Sequence, residues 1–350
     1  MIFVSFLDSS YSRSSVYFNQ LLEWGKDISF RQIRPGLINT LRDVMSFRNI
    51  EKDTIVVMSP SHVIAIWIGI FTKHNIVLDA GWTLTESNEA RVETKKNIWR
   101  KWKIQIIDLL AARYSRLILV ESKQQKENYS KKTKTSINKI EVLYTGFNEI
   151  SYRGIRGKCP IELSNINLTN KFVILFRGKA NEESGLSKII EFAKKYNDAN
   201  YNLIIATNKK INSEIELSNT IVINRFISQE ELVYLYSISD VAIGQMGDSP
   251  RLANTIAHKV YESLFFQVPI IVQKSRAITE IFPRKNMTIY IEDSNPNSLA
   301  KVINDLLKNP KILDELKEHY RCIYRQSLSQ EHLSKIFLTL VAQHLPGINI

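Results

Sequence analysis

The sequence contains very little cysteine. Only two cysteines, Cys159 and Cys322, occur among 350 residues, and they lie far apart in the chain. This spacing fits neither a disulfide framework nor the paired ligands of a metal site. We therefore expect both to be packing residues in a protein of the reducing cytoplasm.

Long hydrophobic runs are also missing. The longest candidate, residues 63–71, is followed closely by Lys73 and is shorter than the ~20 apolar residues that a membrane-spanning helix needs. The apolar residues 2–7 follow no basic leader, so they are predicted to form a first strand rather than a signal peptide. No repeat and no low-complexity tract interrupts the sequence. A globular protein is the remaining expectation.

The sequence does contain a regular alternation of short apolar runs and helical patterns, which is typical of parallel α/β architecture. Strands are predicted near residues 2–7, 28–33, 54–59, 75–80, 116–121 and 140–144, and again near residues 171–176, 201–206, 220–224, 241–245, 270–273 and 288–291. Two doubly wound sheets fit this pattern better than one sheet of about a dozen strands.

A stretch of linker composition separates the two predicted sheets. Residues 149–170 contain Gly154, Gly157 and Pro160 and show little periodicity. We therefore predict a first Rossmann-like domain over residues 1–155 and a second over residues 156–330. The end of the chain is helical in pattern, and the helix within residues 331–350 is a candidate to pack back on the first domain.

Positive charge is concentrated in one part of the sequence. The chain carries a formal charge of +12, and residues 91–141 hold 14 Lys or Arg against 5 Asp or Glu. Such a segment predicts an acidic partner, either anionic lipid, nucleic acid or a phosphorylated acceptor, although a solvated basic surface is the alternative. No nucleic-acid recognition motif accompanies the charge, so no nucleic-acid partner is predicted.

Residues 99–103, Trp-Arg-Lys-Trp-Lys, lie inside this basic segment. Indoles interleaved with cations suit a helix that lies on an anionic membrane surface. Core tryptophans with lysine stems that reach solvent are the alternative. The predicted location is thus cytoplasmic, and peripheral attachment to the inner face of the plasma membrane through residues 91–103 stays open.

Two charged residues on a predicted helix are the strongest indication of a binding site. Lys259 and Glu262 are three residues apart and therefore share a helix face, just before the apolar strand at residues 270–273. Ligands of open α/β sheets bind at this edge. A cation beside a carboxylate suits a nucleotide sugar, because the cation meets the diphosphate and the carboxylate holds hydroxyls. The alternative is a solvated surface pair.

A second indication follows the strand predicted at residues 171–176. Arg177, Gly178 and Lys179 come directly after it, and Gly185 precedes the next helix. Glycines allow close approach of the backbone, and a helix N-terminus with nearby cations binds anions. This combination predicts a cradle for a polyanion, with an ordinary surface loop as the alternative.

These two segments resemble glycosyltransferase family 4, which has the GT-B fold. Its phosphate loop usually reads Gly-Arg-x-x-x-Glu-Lys-Gly, so Lys179 stands at the family's Arg and Ser184 at its Lys, with Arg177 as a compensating cation. Glu262 matches the second Glu of the family's Glu-x7-Glu pattern, and Asn254 stands where the first would be. The resemblance implies that Glu262 contacts the donor sugar.

Further donor-binding candidates follow other strands of the second half. The resemblance places Thr279 and Glu280 where many relatives have a Glu. Asp248, Asn254 and Thr255 follow the strand at residues 241–245, with a polar helix entrance at Pro250 as the alternative, and Arg225 follows the strand at residues 220–224. In the first half, Asp79 ends a strand and is predicted to orient an acceptor hydroxyl, with a turn or cap role as the alternative.

The resemblance implies two Rossmann-like domains that face each other across a cleft, and a retaining transfer without a bound metal. The sequence has no Asp-x-Asp pair for a diphosphate-bound metal, so Arg177, Lys179 and Lys259 are expected to neutralise the leaving diphosphate. The acceptor would be a glycan or a polyprenyl-linked sugar, with a bacterial surface polysaccharide pathway as the expected setting. A non-catalytic subunit that supports a partner transferase, or a sugar-nucleotide epimerase, is the alternative.

Overall fold

The computed structural model describes residues 1–10, 12–51, 53–89, 98–169, 171–196, 198–208, 211 and 218–346. The chain divides into two units, one formed by Met1–Ile150 with Leu328–Ile350 and the other by Ser151–Ser327. Within the described ranges, no helix combines the length and apolar composition that crossing a membrane requires.

The first unit is built on a six-stranded parallel sheet. Its strands are β1 (Ile2–Ser5), β2 (Ser29–Gln32), β3 (Thr54–Val57), β4 (Asn75–Gly81), β5 (Leu117–Val120) and β6 (Ile140–Val142), in the order β2-β1-β3-β4-β5-β6. The inner strands are continuous apolar runs because both faces of a parallel sheet are covered by helices. Since the order reverses between β1 and β3, a switch point lies there.

Helices cover both faces of the first sheet. They are α1 (Ser12–Glu23), α2 (Leu37–Met45), α3 (His62–Phe71), α4 (Leu84–Glu89), α5 (Ile98–Tyr114) and α6 (Lys123–Thr133), together with the last helix of the chain, α13 (Gln330–His344). One core includes residues of α2, α3, α5 and α6, and the other includes residues of α1 and α13. Tyr17 of α1 and Phe337 of α13 stack with their ring centroids 4.5 Å apart.

The second unit repeats this architecture with a second six-stranded parallel sheet. Its strands are β7 (Phe172–Gly178), β8 (Tyr201–Thr207), β9 (Thr220–Asn224), β10 (Val241–Ile243), β11 (Ile270–Gln273) and β12 (Ile289–Ile291), in the order β12-β11-β10-β7-β8-β9. The prediction of two doubly wound sheets is therefore confirmed. The order reverses between β7 and β10, which places the expected ligand crevice at their carboxyl ends.

The helices of the second unit are α7 (Leu186–Lys195), α8 (Gln229–Ser237), α9 (His258–Phe266), α10 (Ile278–Ile281), α11 (Pro296–Lys308) and α12 (Lys311–Ile323). Helix α8 begins with a capping box in which Ser228 and Glu231 each satisfy a backbone amide. Helix α9 starts after the loop that follows β10, so its first turns lie near the switch point. The side chains of these first turns of α9 therefore lie near the residues that end β7 and β10.

Candidate functional site

The site lies at the carboxyl ends of β7 and β10, where the second sheet changes direction. Arg177 and Gly178 end β7, while Lys259 and Glu262 belong to α9. The structure brings these four predicted residues together. The side chains of Lys259 and Glu262 are buried, with exposures of 7% and 1%. The alternative interpretation of these two residues as a solvated surface pair is therefore wrong.

Glu262 is the centre of a buried polar network. Its Oε1 accepts hydrogen bonds from Arg177 Nη1 at 2.6 Å and from His258 Nδ1 at 2.9 Å, and its Oε2 accepts one from the Tyr236 hydroxyl at 3.1 Å. Burial by itself would raise the pKa of this carboxyl, but Arg177 and the hydrogen bond from His258 lower it to about 2. Glu262 is therefore a fixed negative charge that orients the Arg177 guanidinium.

Lys259 is a buried cation whose contacts differ from those of Arg177. Its Nζ donates a hydrogen bond to the Gly244 carbonyl at 3.1 Å and lies 4.4 Å from the centre of the Phe176 ring. In the described part of the chain, no carboxylate lies within ion-pair distance of it. Burial, and then the neighbouring Arg177, lowers the pKa of Lys259 to about 7, although Glu262 acts in the opposite direction. The arrangement favours an anionic ligand that would supply the missing charge.

Two glycines shape the loop beside these cations. A Cβ on Gly178 would lie 3.3 Å from Lys259 Nζ, so the ammonium approaches the bare backbone. Gly185 has a φ of +71°, and a Cβ there would come within 2.4 Å of the carbonyl carbon of Met246. The loop after β7 therefore packs tightly against the loop after β10, and α7 begins directly behind it. The free backbone N–H groups at the N-terminus of α7 add positive electrostatic potential at the carboxyl edge of the second sheet.

A cavity of about 660 Å³ lies at the carboxyl edge of β10 and β11. Val260, Val272 and Ile278 are among its apolar lining residues. Three of its polar lining residues, Gln245, Ser249 and Thr255, each have a side-chain oxygen that is buried and has no hydrogen-bond partner in the described structure. Buried polar atoms are rarely left unpaired. The cavity is therefore suited to a ligand rich in hydroxyl groups.

Four other predicted donor-binding residues surround this cavity. Asp248 and Thr279 line it, while Asn254 and Glu280 lie next to lining residues in the chain. Asp248 is ion-paired with Lys188 at 2.6 Å, and the Thr279 hydroxyl donates to the Arg276 carbonyl at 2.8 Å. These two side chains are thus engaged by the protein itself.

Lys179 and Arg225 are not among the described hydrogen-bond partners of Glu262. Lys179 follows Gly178 with an exposed side chain. Arg225 is held by two carboxylates, Glu162 at 2.8 Å and Glu231 at 2.7 Å, and their hydrogen bonds raise the pKa of its guanidinium further. Ser184, at the position of the family's Lys, is buried, and its hydroxyl donates to the Asn181 carbonyl. It contributes no charge to the loop.

Asp79 belongs to a buried network of the first unit. Arg13 Nε donates to Asp79 Oδ1 at 2.6 Å, and the Tyr17 hydroxyl donates to Oδ2. Arg13 also reaches the Thr145 hydroxyl at 3.1 Å and the Leu143 carbonyl at 2.9 Å. The Asp79 carboxylate has no exposed surface. Its predicted action on an acceptor stays a prediction, while its visible role is to hold Arg13.

Sequence reasoning assigned no site role to Tyr236 or His258. His258 precedes Glu262 by four residues, so helical spacing places the two side chains on one face and could have revealed the contact. Tyr236 occupied a position in the apolar stripe of α8, and nothing in the local sequence showed that its hydroxyl reaches Glu262. Only the packing of α8 beside α9 reveals that contact.

The comparisons with known proteins agree with this geometry. Residues 162–322 match the family described as Glycosyl transferases group 1. That range contains every described residue of the Glu262 network and the lining of the cavity. No curated protein sequence matches the chain.

Solved structures show the same fold at low sequence identity. Sucrose-phosphate synthase from Thermosynechococcus elongatus is 12% identical with a TM-score of 0.74, and the match covers 98% of both chains. A glycosyltransferase from Rickettsia africae is 13% identical with a TM-score of 0.73 over 99% of both chains. HepE from Anabaena, solved in complex with UDP-glucose, is 13% identical with a TM-score of 0.69 over 98% of this chain and 91% of its own. The chain therefore has the GT-B fold of these structures, and residues 162–322 of its second unit match the glycosyl transferases group 1 family.

Proposed function

We propose that the protein transfers a sugar from a nucleotide-diphosphate sugar to a glycan or lipid-linked acceptor, with retention of configuration and without a metal. The observation that carries this proposal is the position of Lys259. It is a buried cation without a carboxylate partner in the described structure, and it stands beside the Arg177–Glu262 pair at the switch point of the sheet. A diphosphate would complete its charge balance.

Three cations are assigned to the diphosphate. Arg177 is oriented by Glu262, Lys259 supplies the buried charge, and the exposed Lys179 adds a mobile cation to the same loop. The N-terminus of α7 supplies backbone N–H groups. These groups would stabilise the negative charge that develops on the leaving diphosphate, which is why the proposal includes no metal.

The cavity is assigned to the donor sugar. Its three unpartnered oxygens, on Gln245, Ser249 and Thr255, match the hydrogen-bonding capacity of sugar hydroxyls, and Asp248 and Thr279 add polar lining. The HepE structure holds UDP-glucose, which supports a UDP-hexose as the first donor to test.

The proposed reaction proceeds on one face of the sugar. The bond between the anomeric carbon and the leaving phosphate oxygen breaks, and the acceptor oxygen bonds to the same face of that carbon. The proton of the acceptor hydroxyl passes to the leaving phosphate oxygen. This route needs no nucleophilic side chain.

The acceptor side of the proposal concerns the first unit. A basic segment with exposed tryptophans supports attachment to the inner face of a plasma membrane, where a polyprenyl-linked acceptor of surface polysaccharide synthesis would be met. Of residues 91–103, the part up to residue 97 lies outside the described residues. Trp99 and Trp102 are described, and both are exposed, so the reading of these tryptophans as core residues is wrong.

A thermal-shift panel of UDP-, GDP- and ADP-sugars tests the proposal directly. A ligand that binds only the folded state raises Tm by mass action. One nucleotide family should raise Tm, and the stabilising donor should then yield free nucleoside diphosphate when a glycan or lipid-linked acceptor is added. Absence of any shift would contradict the proposal, and conversion to an epimeric sugar nucleotide without acceptor would favour an epimerase.

A further inference from the structure

Helix α3 of the first unit has an outward stripe without a single charged residue. Its sequence after His62 is entirely apolar, and the side chains of Val63, Trp67 and Ile70 at the surface of the unit are half-buried or exposed. A helix that is hydrophobic all round is normally buried. In the first unit, this stripe instead reaches the surface between two neighbouring helices.

Helix α5, one of those neighbours, carries a second apolar face. Five of its large apolar side chains are exposed: Ile98, Trp99, Trp102, Ile106 and Leu109. At about 100° per residue, these five positions fall within an arc of about 100°. The buried Ala111 lies on the opposite side of the helix, so the exposed arc plays no part in packing against the sheet.

Helix α2, the other neighbour, contributes Leu37 and Ile38, which are 69% and 78% exposed. Helix α3 contacts both α2 and α5. In a sheet of parallel strands each of these helices begins at the carboxyl edge. The start of α2, with Leu37 and Ile38, therefore lies at the same end of the unit as Trp99 and Trp102. Eight of the fifteen large apolar side chains that are exposed in the described structure belong to these three helices.

The charges around this apolar surface are of one sign. Arg42, Lys73, Lys103 and Arg113 are exposed on or directly after the three helices. The helices contain only two carboxylates, and neither is free. Asp43 is paired with Arg34 at 2.5 Å, and Asp108 is buried and accepts hydrogen bonds from the first turn of α4. A partner that covers this surface must therefore be apolar in its interior and anionic at its edge.

We infer that α2, α3 and α5 form one docking surface for an anionic lipid bilayer. Trp99 and Trp102 would lie at the level of the headgroups, Leu37 and Ile38 would form a second anchor, and the surrounding cations would meet lipid phosphates. The inference rests on the membrane attachment in the proposed function, and it extends that attachment from one helix to three. It places the carboxyl edge of the first sheet next to the membrane.

Co-sedimentation with phospholipid vesicles tests the three-helix surface. The wild-type chain should bind vesicles that contain phosphatidylglycerol at least about tenfold more tightly than vesicles of phosphatidylcholine alone. The double variants L37S/I38S and W99S/W102S should each lose most of this binding. The matched control Ile161→Ser removes a side chain that is 76% exposed in the second unit, and it should bind as the wild type does.

Each other outcome has a defined meaning. Loss of binding in W99S/W102S but not in L37S/I38S would overturn the three-helix surface. Equal binding to both kinds of vesicle would overturn the assignment of anionic lipid. A concentration-dependent dimer that only the two double variants abolish, without vesicle binding, would show that a second copy covers the face. Donor-induced thermal shifts should be unchanged in all variants, so failure of the transferase proposal would be visible separately.

Discussion

The guanidinium of Arg177 and the carboxylate of Glu262 form an ion pair that links the end of β7 to α9, with Nη1 and Oε1 2.6 Å apart. The Glu262 side chain is almost fully buried, while that of Arg177 is 37% exposed. The pair therefore has a fixed anionic end inside the unit and a cationic end that a ligand can reach.

Replacing Glu262 by Gln should destabilise the protein. The variant leaves the Arg177 guanidinium without its counter-ion, and the expected loss is about 2 kcal/mol in the free energy of unfolding. The loss is smaller than for a wholly buried pair, because water reaches Arg177. Urea unfolding measures it. Glu318→Gln, which breaks an exposed pair with Arg321, should change stability by less than about 0.5 kcal/mol, and equal losses in the two variants would contradict the assignment.

Alanine substitutions at Gly185, in the loop after β7, and at Gly154 should reduce stability by different amounts. Gly185 and Gly154 both have positive φ, 71° and 76°, but only at Gly185 would a Cβ collide with backbone, since nothing lies within 4 Å of the position at Gly154. Gly154→Ala should lose about 1 kcal/mol of unfolding free energy from its φ alone, and Gly185→Ala should lose at least about 2 kcal/mol more. Similar losses in a urea titration would show that the loop does not pack as described.

The cavity predicts a separation between nucleotide and sugar recognition. Thr255→Val keeps the size of the side chain and removes the unpartnered hydroxyl. It should weaken binding of the nucleotide sugar by about fivefold, the effect of one hydrogen bond, and leave binding of the nucleoside diphosphate unchanged. Calorimetry with both ligands measures the two affinities. Thr339→Val, on the exposed side of α13, serves as the control, and equal weakening for both ligands would place the sugar elsewhere.

Replacing Asp79 by Asn distinguishes a structural role of this carboxylate from a catalytic one. Arg13 and Asp79 are both buried, at 3% and 0% side-chain exposure, so Asp79→Asn should reduce the free energy of unfolding by about 3 kcal/mol. Donor binding, which belongs to the second unit, should be unaffected. A variant of unchanged stability with strongly reduced turnover would instead assign Asp79 to the acceptor.

The architecture was predictable from the sequence because parallel strands are buried on both faces. Residues 172–176, for example, form an unbroken apolar run, and the same signal marks most of the other strands, whereas the edge strand β2 is mostly exposed and polar. Helical spacing also predicted that Lys259 and Glu262 share one face of α9. Both signals are local, since a few consecutive residues are enough to produce them.

The partners of these residues were not predictable, because they come from distant parts of the chain. Glu262 pairs with Arg177, 85 residues away, and Arg225 pairs with Glu162, 63 residues away. Neither contact leaves a local pattern. Likewise, Trp99 is equally compatible with a core and a surface in the sequence, and only the packing of α5 decides that it is 83% exposed.

The central claim is that Lys259 meets the diphosphate of the donor. Since burial lowers its pKa from 10.5 to about 7, the folded protein binds this proton more weakly than the unfolded chain does. Lys259 therefore reduces stability most below pH 7, and the penalty is relieved as the pH rises from about 7 to 10.5. A bound diphosphate favours the protonated amine, so donor affinity should fall as the pH rises above 7.

The most direct measurement is calorimetric binding of the nucleotide sugar to wild type, Lys259→Met and Lys274→Met at about pH 6 and about pH 8.5. Lys274 lines the cavity but is exposed, so its variant is the matched control. The account predicts that wild type and Lys274→Met bind about tenfold more weakly at the higher pH, whereas Lys259→Met binds weakly at both. Wild-type affinity in Lys259→Met would contradict the account.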